Sequence, residues 1–169
     1  MVFAKTLVIG VLCLTIAACS TSELAPLVLE GHDLHGSLVT RDLGEGPIRH
    51  VPRDVIEGNP YLSDDSEFVE AIARSGSQGQ LGGKGISFAL YALYDAECEL
   101  GFYGLEAASQ ADADRLEDAL RGVWAYNVDL GRAQVHRGEL VLLVVWHDGV
   151  SLECWEAVNS GVAERLVAP

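Results

Sequence analysis

The chain has 169 residues and carries 25 Asp and Glu against 11 Lys and Arg, a formal net charge of −14. That length is one domain's worth of chain. An acidic surface without a basic stripe repels phosphate backbones, so nucleic acid is not an expected partner.

The first eighteen residues hold a single charge, Lys5, followed by an apolar run from Leu7 to Ala18. The run is shorter than the roughly 20 residues a membrane-spanning helix needs. It reads as the apolar region of a signal peptide. It ends at "LTIAACSTSELAP", where Ile16, Ala17 and Ala18 precede Cys19. An aliphatic residue, two small ones and a cysteine resemble the lipobox of bacterial lipoproteins. The resemblance covers residues 1–22 and implies cleavage before Cys19, a diacylated Cys19 thiol and an acylated new amino terminus. Cys19 would then be the membrane anchor, and multiple acyl chains hold a protein where one is marginal. Ser20 is not the aspartate associated with inner-membrane retention, so the resemblance implies a cell-envelope protein facing the periplasm or exterior, on the outer membrane in a double-membraned host. The plain alternative is a secreted protein with Cys19 free.

On this reading residues 1–18 are the signal peptide, 19–27 a lipidated polar tether and 28–169 a single α+β domain. Its first part, 28–84, is rich in Gly, Pro and Asp with short apolar fragments. That composition predicts turns and one or two edge strands. Within it "SEFVEAIARSG", 66–76, predicts a short helix capped by Ser66, with Phe68, Val69 and Ile72 on one face and Gly76 at its end. The next stretch, Ser75 to Gly85, holds five glycines and reads as a flexible loop. Its Gly83-Lys84 pair is no phosphate cradle, because a P-loop needs glycine where Gln78 stands and Ser or Thr where Gly85 stands.

From Ile86 the pattern is regular. "ISFALYALY" and "ELGFYGLEAA" predict a strand hairpin turned at "DAEC". Ser109 and Asp112 have the spacing of a helix cap, ahead of an apolar stripe through Ala113, Leu116, Leu120, Val123 and Trp124. Two further strands joined at Arg137-Gly138 follow, and Ser151 opens a closing helix with Leu152, Trp155, Val158, Val162 and Leu166 on one face. The order strand, strand, helix, strand, strand, helix predicts a mainly antiparallel sheet with the two helices on one face. The strand "LVLLVVW", 140–146, is apolar at every position, which places it in the sheet interior, covered on both sides. Residues 27–84, a partner protein or a ligand would cover the second face. Beyond the lipobox, the layout is similar to small secreted bacterial lipoproteins that end in a hairpin and an amphipathic helix; that likeness implies a compartment and no catalytic residue.

Cys13 leaves with the signal peptide and Cys19 takes lipid, which leaves Cys98 and Cys154 as an even pair in an oxidising compartment. A disulfide between them would close a loop of about 57 residues and contribute roughly 4 kcal/mol in the chain-entropy picture. Both cysteines are flanked by carboxylates, which oppose the thiolate a nucleophile requires. Aromatic residues gather in the second half, and amphipathic aromatics favour recognition surfaces. Tyr91, Tyr126 and Trp146 are the candidate contacts for a ligand or partner.

Catalytic chemistry has thin support. His32 and His35, beside Glu30 and Asp33, are residue types that bind divalent metals, but the glycines at 31 and 36 argue against the helix that would align them. His147 and Asp148 are adjacent on a strand end and point to opposite faces, so they cannot form an acid–base pair. No nucleophile elbow, zinc-protease helix or dinucleotide fingerprint is present, and no cofactor or metal is expected. The sequence therefore predicts a lipid-anchored, non-catalytic binding module for a protein or a small apolar ligand. The alternative is a hydrolase or metal-dependent enzyme using His32, His35 or His147.

Overall fold

The computed structural model describes residues 22–43, 51–95 and 99–167. Residues 1–18, expected as a signal peptide, lie outside the described residues, as do Cys19 and Cys98. The architecture is α+β, built on an antiparallel sheet, as the strand and helix periodicities predict. Six strands are described: β1 (Val39–Thr40), β2 (Tyr61–Ser63), β3 (Ile86–Asp95), β4 (Glu99–Ala107), β5 (Ala133–Arg137) and β6 (Val141–His147). The helices are α1 (Gly31–Leu34), α2 (Ser66–Gly76), α3 (Gln110–Asp129) and α4 (Leu152–Val167). The sheet order is β1-β3-β4-β6-β5, with β2 also paired to β3.

Strand β6 lies between β4 and β5 and is buried from Val141 to Trp146. Its alternation splits the core in two. Leu142, Val144 and Trp146 meet Tyr91, Tyr103, the α2 residues Phe68 and Ile72, and the α3 residues Ala113, Leu116 and Leu120. Val141, Leu143 and Val145 meet Leu100, Phe102, and Val158 and Val162 of α4. Burying apolar side chains on both faces of one strand is what its unbroken apolar run requires.

The two C-terminal helices therefore lie on opposite faces, α3 with α2 on the first and α4 on the second, and not together on one face. Both β4 and β5 run antiparallel to β6, so they are parallel to each other, and α3 is the crossover between them. Such a crossover is right-handed almost without exception, which commits α3 to one face. The terminal helix α4 then covers the face left open.

The first half of the chain seals what remains. Leu24, Leu27, Leu34 and Leu38 pack on the second face beside α4, and α2 packs on the first. Residues 22–27 are accordingly not a free tether: Leu24 and Leu27 are fully buried. Ser22 Oγ donates to Glu106 Oε2 at 2.5 Å, and the same oxygen accepts the Glu23 amide at 2.8 Å.

The caps follow their chemistry with one shift. Asp65, not Ser66, caps α2, accepting the Glu67 and Phe68 amides at Oδ1, both at 3.0 Å. Ser109 caps α3 as its spacing predicts, accepting the Asp112 amide at 3.2 Å. On α4, Ser151 Oγ accepts the Cys154 amide at 3.3 Å, and the buried stripe runs Cys154, Val158, Val162, leaving Leu152 exposed. The glycine-rich loop is tied down. Gly83 N–H donates to Glu70 at 2.5 Å, Arg115 donates to the Lys84 carbonyl at 2.7 Å, and Leu81 is buried.

Candidate functional site

A concave site opens on the first face between the C-terminal end of α2 and α3. Its volume is about 520 Å³, and Arg74, Ser75, Gln78, Gly79, Tyr103 and Trp124 line it. Volumes of this order suit a small ligand. The site exists because α2 stops close against the sheet. A Cβ at Gly76 would lie 3.2 Å from Tyr103 Cβ, so glycine lets the helix end reach the aromatic floor. The Trp124 indole N–H donates to the Gly76 carbonyl at 2.6 Å and fixes α3 to that helix end.

The rim is shaped by how α2 terminates. Ser77 N–H and Oγ both donate to the Ala73 carbonyl, and Gly79 N–H reaches back to the Arg74 carbonyl at 2.7 Å. That closing bond is the signature of a Schellman end, in which the residue between adopts the left-handed conformation glycine favours. Here the residue is Gln78, with φ of 51°. Arg74 Nε donates to Glu70 Oε1 at 2.5 Å. The Gly83 amide and then Arg74 hold the Glu70 carboxyl below its ordinary range.

Beneath the floor the aromatics form a column. Tyr103 stacks with Trp146 at 6.3 Å and 23°, and sits 5.7 Å from Tyr91 and 6.3 Å from Trp124. Trp146 lies flat over Gly101, where a Cβ would come within 2.5 Å of its ring. The Trp146 indole nitrogen is buried without a hydrogen-bond partner among the described residues. A neutral donor so placed costs free energy, which the packing of the ring must offset.

Of the residues the sequence singles out, Tyr91 is fully buried and Trp146 nearly so, which makes both supports for the floor, out of a ligand's direct reach. Tyr126 is 72% exposed on α3, away from the lining. The residues that do line the cleft escaped the sequence reading. Trp124 and Tyr103 fell on apolar stripes that read as core, and Arg74 to Gly79 read as a helix end and loop. The structure separates them: burial along α3 stops at Leu120, and Trp124 is only half-buried.

The histidines do other work. His147 Nδ1 accepts the Gly149 and Val150 amides at 3.1 and 3.2 Å, and its Nε2–H reaches the Gly131 carbonyl at 2.9 Å, so this imidazole organises a turn. His32 lies 3.4 Å from Asp33 on the surface, and His35 is 2.7 Å from Ser37. No group of three or more His, Cys, Asp or Glu able to hold a metal occurs among the described residues. His136 bonds Asn159 Oδ1 at 2.7 Å; burial lowers its pKa, the Asn159 bond opposes that, and Arg121 adds to it. Cys154 is buried and forms no disulfide with another described residue.

No protein-family model matches the chain, and neither a curated protein nor a solved structure matches it. No described helix is long and apolar enough to cross a membrane.

Proposed function

We propose that the protein is a lipid-anchored envelope lipoprotein whose domain binds, without catalysis, a small ligand with an apolar face in the cleft between α2 and α3. The observation that carries the reading is the cleft's composition. Tyr103 and Trp124 supply aromatic surface, while Arg74, Ser75 and Gln78 place a cation, a hydroxyl and an amide around it. Apolar floors with few converging polar groups are the usual make-up of small-molecule sites. The lipobox residues before Cys19 support the anchor, through their resemblance to bacterial lipoproteins.

A Cys98–Cys154 disulfide belongs to the same reading. Cys154 packs in the cluster that holds Leu100, and the Asp148 amide donates to the Glu99 carbonyl at 2.9 Å, which brings the chain next to Cys98 toward the start of α4. Oxidation in the envelope would close the bond.

Mass spectrometry of protein released from its own membranes tests all three parts. Denatured, it is expected to show an acylated Cys19 and a two-proton deficit at Cys98 and Cys154. Under native conditions a bound small molecule is expected on the wild type and lost in Arg74→Ala and Trp124→Ala, with Tyr126→Ala retaining it. A ligand retained in both cleft variants, or absent from the wild type, would refute the site.

A further inference from the structure

The buried start of the domain limits how far it can stand from an anchor at Cys19. Ser22 is held by Glu106, and Leu24 fills a hollow over Gly104, where a Cβ would lie 2.9 Å from Leu24 Cδ2. Leu24 and Leu27 are fully buried on the second face. Three residue steps separate Cys19 from Ser22, and fully extended chain spans about 3.3–3.6 Å per residue, or roughly 10 Å in all. The polar layer of one leaflet is itself roughly 5–8 Å deep.

The strands and helices fix what lies at each end of this leash. Glu106 is near the end of β4, paired to Phe88 at the start of β3. Helix α3 begins just beyond, at Gln110, and runs away from that end. Trp124 is therefore about 21 Å further along the helix axis, at 1.5 Å per residue. The cleft it lines is on the first face, whereas residues 24–27 attach to the second.

We infer that the domain rests directly on the lipid headgroups through the sheet end formed by residues 22–23, 86–88 and 105–107, with the aromatic cleft held distal and open to the aqueous side. The inference rests on acylation of Cys19. A long flexible tether lets a domain tumble above its membrane; a leash of this length does not, because lengthening it means pulling Leu24 and Leu27 out of the core. The partner surface is the headgroup layer itself, and the exposed Lys84 and Glu23 border the contact.

The test uses isotope-labelled acylated protein in phosphatidylcholine nanodiscs containing a paramagnetic headgroup lipid, with intact mass taken on the same sample. The amide signals of Ser87, Phe88 and Glu106 are expected to broaden or vanish, while the Gln78 amide and the Trp124 indole N–H keep their intensity. A Gly/Ser insertion of about ten residues before Ser22, with a root-mean-square reach of roughly 18 Å, is expected to remove that contrast. If Cys19 is acylated and Ser87 to Glu106 stay sharp, or the Trp124 indole is quenched equally, the apposition is wrong. An unacylated Cys19 overturns the anchor itself, and the apposition with it.

Discussion

Gln78 occupies a left-handed position, where a side chain crowds the following carbonyl at a cost of roughly 1–2 kcal/mol that glycine avoids. Strain of this kind persists where the surroundings enforce it and is concentrated at functional sites. Gln78→Gly is expected to raise the unfolding free energy by about 1 kcal/mol, read as a higher urea midpoint, while removing an amide from the cleft rim. A lower midpoint would mean that the Gln78 side chain stabilises the helix end by more than its backbone strains it. His136 gives a pH dependence of definite sign. Its pKa in the folded protein lies below the ordinary 6.5, first because it is buried, so the unfolded chain binds the proton more readily. Stability is then fully present above about 6.5 and falls as the pH drops from there through the depressed folded value. Against His136→Gln, the wild type should lose stability more steeply across that window; parallel curves would show that the ring is already solvated.

At the level of elements, the first half of the chain meets the outer edge of β3 through two short pairings. Among the described residues strand β1 is in register with Tyr94 and Asp95, and β2 with Ala89 to Tyr91. Between them the Asn59 side chain takes the place of a strand residue. Its Oδ1 accepts the Leu93 amide at 2.9 Å, and its Nδ2 donates to the Leu93 and Arg41 carbonyls at 2.6 and 2.8 Å. Asn59→Ala leaves three partly buried backbone groups without that partner and is expected to cost about 2–3 kcal/mol, at roughly 1 kcal/mol per net bond. Hydrogen exchange at the Leu93 amide should accelerate with it; unchanged protection would show that water replaces the side chain. Nothing in "EGNPYL" announces this role, since the partner is 34 residues away in sequence. The β3–β4 hairpin, the Ser109 cap and the interior place of β6 were legible because period-two and 3.6-residue patterns and cap spacing are local. The face each helix takes was not legible. Strand β6 is apolar on both sides and offers equal purchase to either helix, so the crossover topology decides. The cleft was hidden for a related reason: Trp124 continues the apolar stripe of α3 in sequence, and only the end of α2 against Tyr103 turns that position into a site.

For the whole molecule, the decisive question is where the folded unit begins. Composition marks residues 19–27 as a tether, yet Leu24 and Leu27 are buried completely against α4 and the sheet. Fully burying a leucine contributes about 1.5–3 kcal/mol. Two of them amount to roughly 3–6 kcal/mol, a large share of the ~5–15 kcal/mol that holds a typical domain together. A chain that begins at Val28 is therefore expected to unfold at much lower urea than one beginning at Ser20, and Leu24→Ala alone should cost about 2–5 kcal/mol. The single substitution matters because it leaves the chain's length and termini unchanged. If both variants unfold with the midpoint of the chain that begins at Ser20, residues 22–27 contribute no binding energy to the fold. The leash from the proposed anchor at Cys19 would then extend to Val28, roughly 30 Å at full stretch. If Cys19 is acylated as proposed, a domain on so long a leash would be free to leave the headgroups, so the stability of this short segment and the proposed position on a membrane are one question.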